Sequence, residues 1–277
     1  MFSQKQAMSF IVFNQQLIAK SAFQANFSNR SFYYGDGFFE TILYKSGKFP
    51  FSKWHVERII NSFQLLHLKF ENEFTLQSLE SDLLQLIVAN KVSNEDIVVK
   101  INFYRNGESG YNPTTTAYSW LAELKQMPIW KDKISLCFYT EEKKSAGKIS
   151  QLKSTNALIY VMAAQFAAQQ IKDEAIVFNT NNQVADCTNS NLFIIHQSKM
   201  YTPPLTDGGV DGVARKMLMN NFEVEEKSLT ANDIINADEV FLTNAVRLIQ
   251  PVFQVDDKKY SSVQTTTLQN KLMVLIN

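Results

Sequence analysis

Apolar residues change their spacing several times along this chain of 277 residues, from the alternation typical of strands to the repeat typical of helices. Near the N-terminus, residues 9–13 and 17–23 alternate in this way and flank the polar turn Asn14-Gln15-Gln16, which predicts a hairpin. Residues 38–44 are rich in aromatic and other strand-forming residues and end at the turn 45–48. Both turns favour antiparallel pairing, because strands joined by a tight turn must run in opposite directions.

The same alternation of strand and helix patterns continues to the C-terminus. Helices are expected from Ser52, taken as an N-cap, and at 76–87, 156–170, 213–220 and 261–275, and strands at 97–104, 117–124, 134–139, 175–178, 191–196 and 239–242. Gln126-Met127-Pro128 interrupts the pattern and predicts a boundary. We therefore expect an α+β fold with mostly antiparallel pairing, composed of an N-terminal α/β domain (1–125), a linker (126–131) and a C-terminal domain (132–277).

Charge and hydropathy narrow the class of function. The 27 basic and 27 acidic residues cancel, and we find no basic stripe typical of nucleic-acid binding and no polybasic membrane patch. The apolar stretch 157–168 is too short to span a bilayer, and the N-terminus lacks a signal-peptide pattern. A cytoplasmic protein that binds neither nucleic acid nor membrane is the expectation.

Cysteine and histidine spacing argues against a structural metal. Cys137 and Cys187 belong to no CxxC or Cys/His cluster, and the three histidines lack the paired spacing of a zinc site. No GxGxxG or GxxxxGK[ST] motif opens a helix, so dinucleotide and P-loop sites have no support.

Three segments have residue patterns that suit chemistry, and each also has a simpler explanation. Gly35-Asp36-Gly37 precedes an aromatic strand, where it could place side chains beside a bulky group or form a plain turn. Lys153 precedes an apolar helix, and a buried lysine can form Schiff bases, although most lysines are merely solvated. Asp186 lies in a polar segment before an apolar strand, where it could orient a ligand or form a turn.

Taken together and in order, these segments resemble the class IV pyridoxal-phosphate (PLP) aminotransferases. The resemblance extends from Gly35 to Val252 and rests on five motifs, namely YGDGFFET, His55-x-x-Arg58, Lys153-x-x-Asn156, the acid five residues before Asn191, and TPPLTDGGVDGVAR. The family includes D-amino-acid and branched-chain aminotransferases and aminodeoxychorismate lyase. The resemblance implies a two-domain fold type IV enzyme with a small α/β N-terminal domain, a larger barrel-like C-terminal domain, PLP as cofactor and a homodimeric assembly.

The resemblance also implies roles for individual residues. Lys153 matches the Schiff-base lysine and Arg58 the phosphate-binding arginine, while Asp186 stands where a glutamate usually faces the pyridine nitrogen. The other residues matched to cofactor-binding positions are Asn191, Val213 and Ala214 at a helix start, and Asn244 and Ala245 in a phosphate-side loop. Aspartate is one methylene shorter than glutamate, so either the loop moves inward or a water intervenes.

The branch of the family is predicted from local spacing. Lys153-x-x-Asn156 resembles the lyase and D-amino-acid branches, whereas a branched-chain enzyme would usually have tyrosine at the position of Leu158. The loop 104–113 resembles the lyase loop but has Ser109 where arginine is expected. The sequence therefore favours 4-amino-4-deoxychorismate lyase, releasing pyruvate and p-aminobenzoate. The alternatives are a D-amino-acid or branched-chain aminotransferase and a catalytically lapsed dimer scaffold.

Candidate substrate contacts are Phe39, Arg105 and Tyr111. Phe39 occupies a position that many relatives give to a pocket tyrosine, and its alternative role is as a core residue of the strand. Arg105 is the cation nearest the loop, and its alternative role is to brace that loop. Arg247 is a further candidate, with a structural salt bridge as the equal alternative.

Overall fold

The computed structural model describes residues 8–25, 29–69, 75–108 and 110–276 of the chain. The chain divides into two units: Met1–Pro128 with Ser154–Asn156, and Ile129–Lys153 with Ala157–Asn277. Both are built from strands and helices. The predicted α+β class is therefore confirmed.

The first unit contains an antiparallel sheet in the order β2-β1-β5-β4-β3. Its strands are β1 (Phe10–Phe13), β2 (Gln16–Ala19), β3 (Gly37–Tyr44), β4 (Ile97–Arg105) and β5 (Tyr118–Gln126), and its helices are α1 (Arg30–Tyr34), α2 (Ser52–Leu65) and α3 (Leu76–Ala89).

Strand β3 follows the two-residue repeat of a strand with one buried face. Phe38, Glu40 and Ile42 alternate along it and are fully or almost fully buried. The Phe38 ring stacks on Phe103 of β4 at 4.7 Å and meets Phe63 of α2 edge-on at 5.5 Å. This packing puts a carboxylate, Glu40, on the same face as the aromatic core.

Two local predictions in this unit are wrong. The strand expected at 17–23 ends at Ala19, and a 3-10 turn, Lys20–Ala22, follows it. Ser52 is the first residue of α2 rather than its N-cap, a position held by Phe51 without a side-chain hydrogen bond. Helix α1 was not predicted, because its five residues are too few to show a helical repeat.

The second unit contains a larger sheet in the order β11-β10-β9-β12-β13-β6-β7-β8, with β14 paired to β13. Its strands are β6 (Ile134–Lys144), β7 (Glu174–Asn179), β8 (Val184–Cys187), β9 (Asn191–His196), β10 (Lys199–Thr202), β11 (Glu225–Glu226), β12 (Glu239–Asn244), β13 (Leu248–Val255) and β14 (Lys258–Lys259), and its helices are α4 (Leu158–Gln169), α5 (Val213–Asn221), α6 (Ala231–Asn236) and α7 (Val263–Ile276).

Antiparallel pairs outnumber parallel pairs among the described strands, as predicted. The parallel pairs are β6–β13, β6–β7 and β10–β11. The apolar core of this unit includes Leu136, Ile176 and Val240, contributed by β6, β7 and β12. None of the helices in the described segments combines the length and the hydropathy that crossing a membrane requires.

Asp186 lies on a strand, so the alternative that it forms a turn is wrong. It belongs to β8, in which all four residues are buried. Such a short strand shows no alternation in the sequence, because neither of its faces meets solvent. The strands β10, β11, β13 and β14 were also not predicted.

Candidate active site

In the first unit, Arg58 is held by a buried carboxylate. Its Nε and Nη2 donate to Oε1 and Oε2 of Glu40, each at 2.7 Å, and His55 Nδ1 lies 2.6 Å from Oε2. Burial raises the pKa of Glu40, but the charges of Arg58 and then His55 outweigh it and lower that pKa from 4.5 to about 2. The ionised carboxylate therefore fixes the plane of the Arg58 guanidinium.

Glu40 was not predicted as a site residue. The signal available in the sequence was a charged residue at a position of β3 that the alternation of buried and exposed residues predicts to be buried.

The Gly35-Asp36-Gly37 segment receives the residues that follow Lys153. Gly35 has a φ of +63°, and a Cβ placed on it would lie 2.9 Å from the Asn156 Cβ. The Thr155 N–H donates to the Gly37 carbonyl oxygen at 3.1 Å. The close contact with Asn156 explains the glycine at position 35.

The predicted substrate residues of the first unit have different surroundings. Arg105 is buried, with its Nε donating to Asp36 at 2.9 Å and its Nη2 to the Leu66 carbonyl at 2.6 Å, which favours the bracing role. Phe39 is half-buried, on the face of β3 opposite Phe38. Tyr111 is exposed. Ser109 lies outside the described residues.

In the second unit, Asp186 is the centre of a buried hydrogen-bond cluster. Its Oδ1 accepts from Asn191 Nδ2 at 2.9 Å, and its Oδ2 accepts from the Val210 N–H at 2.8 Å and the Tyr160 hydroxyl at 3.2 Å. Burial raises the pKa of Asp186 above its usual value, and the charges of Lys144 and, more weakly, Lys153 oppose this rise. The matched pair Lys153 and Asp186 thus interacts electrostatically.

The start of helix α5 packs closely on the same cluster. A Cβ on Gly212 would lie 1.8 Å from Asn191 Oδ1, so only glycine permits this approach. Helix α5 begins at the next residue, Val213, and its first N–H groups form the positive end of the helix dipole. Thr243 pairs with Asn191 across β12 and β9, and its Oγ1 is buried without a hydrogen-bond partner in the described part of the chain.

The loop after β12 is built around Asn244. Its Oδ1 accepts from the N–H groups of Val246 and Arg247, and its Nδ2 donates to Ser190 Oγ at 3.3 Å. Ala245, the other residue matched to this loop, follows directly and is half-buried. The arrangement is an Asx turn that holds the loop in one shape.

Arg247 forms the structural salt bridge that was the alternative to substrate binding. Its Nη1 lies 3.1 Å from Glu174 Oε1, and its guanidinium lies over the Trp130 ring at 4.4 Å. Glu174 is buried, which raises its pKa, and it was not predicted as part of this region.

Comparison with known proteins identifies the family. The model of the amino-transferase class IV family matches residues 37–255. D-alanine aminotransferase from Bacillus licheniformis is 25% identical, with 95% of this chain and 97% of that protein covered. Aminodeoxychorismate lyase from Vibrio harveyi is 28% identical, with 81% and 84% covered. The structure of a branched-chain aminotransferase from Thermobaculum terrenum in its PLP form has a TM-score of 0.83 at 19% identity, covering 97% of this chain and 94% of that one. The chain therefore belongs to the class IV aminotransferase family and is a PLP-dependent enzyme of that family.

Proposed function

We propose that the Asp186 cluster of the second unit holds PLP, with Lys153 as the lysine that attaches to it. The residues present fit this cofactor: a buried acid suits a protonated ring nitrogen, and an uncapped helix start suits a phosphate. The buried Thr243 hydroxyl lacks a hydrogen-bond partner in the described chain, as a ligand-binding group would when its ligand is absent. When bound, PLP supplies an electron sink for charge that develops beside the amine.

The proposal divides the binding roles among several elements. Asp186, oriented by Asn191, accepts from the ring nitrogen. The N–H groups of Val213 and Ala214 and the loop of Asn244 and Ala245 bind phosphate. Arg58, whose guanidinium is fixed by Glu40, keeps the phosphate-binding role that its match to the family's arginine implies.

For the reaction, we propose 4-amino-4-deoxychorismate lyase activity. Lys153 removes the proton from the amine-bearing carbon, pyruvate leaves, and the ring becomes aromatic p-aminobenzoate. Aromatisation favours the elimination, so the chain mainly orients the substrate and moves one proton. The Lys153-x-x-Asn156 spacing and the 28% identity to the Vibrio harveyi lyase support this choice. Phe39 and Tyr111 stay proposed substrate contacts, and Arg105 is proposed to brace the loop that contains Tyr111.

A class IV aminotransferase is the second candidate. The D-alanine aminotransferase of Bacillus licheniformis aligns over 95% of this chain, which is more than the lyase covers. Both activities use the same proton removal by Lys153 and differ in the fate of the substrate. Cofactor-binding residues therefore do not separate them.

One assay distinguishes the candidates. We expect PLP-loaded protein supplied with aminodeoxychorismate, and with no 2-oxo acid, to release pyruvate and p-aminobenzoate over many turnovers. Absence of both products, together with amino transfer from D-alanine or a branched-chain amino acid to 2-oxoglutarate, would contradict the lyase proposal. Failure of both assays in protein that does not take up PLP would support the lapsed scaffold. That alternative is motivated by Asp186, which is one methylene shorter than the usual glutamate, and by Ser109 in place of the expected arginine.

We also propose that the protein is a homodimer. Large apolar side chains are exposed in both units, among them Phe32 at 75% and Leu158 at 66%. We expect light scattering to give twice the mass of one chain, and Phe32→Glu with Leu158→Glu to lower it by removing apolar contacts. A wild-type mass equal to one chain at micromolar concentration would contradict this proposal.

A further inference from the structure

A buried lysine is connected to the carboxylate of Asp186 through one tyrosine. Lys144, the last residue of β6, is buried, and its ammonium donates to the Tyr160 hydroxyl and to the Ser150 carbonyl oxygen, the latter at 3.0 Å. The Tyr160 hydroxyl in turn donates to Asp186 Oδ2 at 3.2 Å. A lysine, a tyrosine and an aspartate from β6, α4 and β8 therefore form one hydrogen-bond chain, which we name the Lys144 relay.

The donors and acceptors of the relay match. The tyrosine oxygen accepts a hydrogen bond from the ammonium and donates one to the carboxylate. The geometry fits a charged lysine, a neutral tyrosine and a charged aspartate.

The charges in the relay support one another. Burial lowers the pKa of Lys144 below its usual value, and the charge of Asp186 opposes this lowering. Burial raises the pKa of Tyr160 well above its usual value, so this residue stays neutral. A buried carboxylate with no nearby cation would bind a proton instead of staying ionised.

The relay also decides which oxygen of Asp186 can receive a ligand. A carboxylate oxygen accepts about two hydrogen bonds. Within the described residues, Oδ2 already accepts from Val210 and Tyr160, whereas Oδ1 accepts from Asn191 alone. One acceptor position, on Oδ1, is thus left for a further donor.

We propose that Lys144, acting through Tyr160, is a positioning residue that keeps Asp186 ionised and directs its Oδ1 to the ring nitrogen of PLP. This inference rests on the proposed function, in which Asp186 accepts from that nitrogen. It assigns a role to two residues, Lys144 and Tyr160, that the sequence motifs did not indicate. It also explains how an acid buried this deeply can keep its charge.

The experiment measures the ring nitrogen itself. PLP labelled with nitrogen-15 in the ring is loaded into the wild type and into the variants Lys144→Met, Lys144→Arg and Tyr160→Phe, at one neutral pH. The nitrogen chemical shift reports whether the ring is protonated. We expect a protonated ring in the wild type and in Lys144→Arg, and a shift towards the unprotonated form in Lys144→Met and Tyr160→Phe. In these two, PLP affinity should fall about tenfold, the effect of losing a hydrogen bond to a charged group.

Controls separate the relay from a merely structural role. Lys143→Met alters the neighbouring lysine, whose ammonium lies over the Phe178 ring at 4.9 Å, and should leave the ring nitrogen unchanged. Tyr160→Phe preserves the shape of the side chain, so it keeps the test valid if Lys144→Met does not fold. A fully protonated PLP ring nitrogen in the Tyr160→Phe variant would overturn the relay, even if this variant were less stable.

Asp186→Asn distinguishes failure of the relay from failure of the site. If Asp186→Asn removes the ring proton while Tyr160→Phe does not, the relay is wrong and the proposed role of Asp186 stands. If the ring nitrogen is unchanged in Asp186→Asn, both proposals are wrong.

Discussion

The Lys153→Ala variant should lack the absorption band of lysine-bound PLP after incubation with PLP and removal of the excess, and should turn over substrate about a thousandfold more slowly than the wild type, or worse. In the proposed function this lysine both attaches to the cofactor and moves the proton, and alanine can do neither. Absorbance of the lysine-bound cofactor and kcat at saturating PLP measure the two losses separately.

Lys148→Ala is the matched control, because Lys148 is an exposed lysine five residues earlier in the same segment. This control should keep both the absorption band and the turnover. A Lys153→Ala variant with the wild-type band would show that another lysine attaches to PLP and would contradict the assignment.

The second large effect concerns the stability of the first unit. Glu40→Gln leaves Arg58 and His55 buried beside a neutral amide, and breaking a buried ion pair in this way costs about 3–5 kcal/mol. We expect this loss in the free energy of unfolding by urea at pH 7 in the absence of PLP. Glu95→Gln alters an exposed carboxylate of the same unit and should change stability by less than about 0.5 kcal/mol.

The Glu40 contribution should depend on pH with a definite sign. The pKa of Glu40 is lowered on folding from 4.5 to about 2, so its stabilisation is complete above the unfolded value and is lost as the pH falls through the folded value. The lowering corresponds to about 3 kcal/mol. The stability difference between wild type and Glu40→Gln should therefore narrow below pH 4.5, over the range in which both fold. A difference that stays constant down to pH 3 would contradict the ion-pair explanation.

Long elements with one buried face were predicted well. The helix expected at 76–87 is α3, and the strand expected at 97–104 is β4 to within one residue. In each of these elements one side faces solvent and the other side packs on the core, so the spacing of apolar residues indicates the type of secondary structure. Strand β8 has no such contrast, and the element that contains Asp186 was therefore missed.

Site residues could be proposed from the sequence where they belong to ordered motifs, and not where they lie outside them. Lys153, Arg58 and Asp186 follow from short patterns in the family order. Lys144 and Tyr160 do not, because they lie on either side of Lys153-x-x-Asn156 and belong to none of the five motifs. Glu40 lies within a recognised motif, yet its role depends on a helix that follows eight residues after β3.

The sequence by itself determined the fold class, the family and the lysine, arginine and acid expected to serve the cofactor, because these depend on local periodicity and on the order of short motifs. Only the tertiary structure decided how those charges are maintained. It pairs Arg58 with Glu40, and it connects Asp186 to Lys144 through Tyr160. The physical reason is that burial changes the free energy of a charge by several kcal/mol, and both burial and the partners that offset it arise only when distant elements pack together.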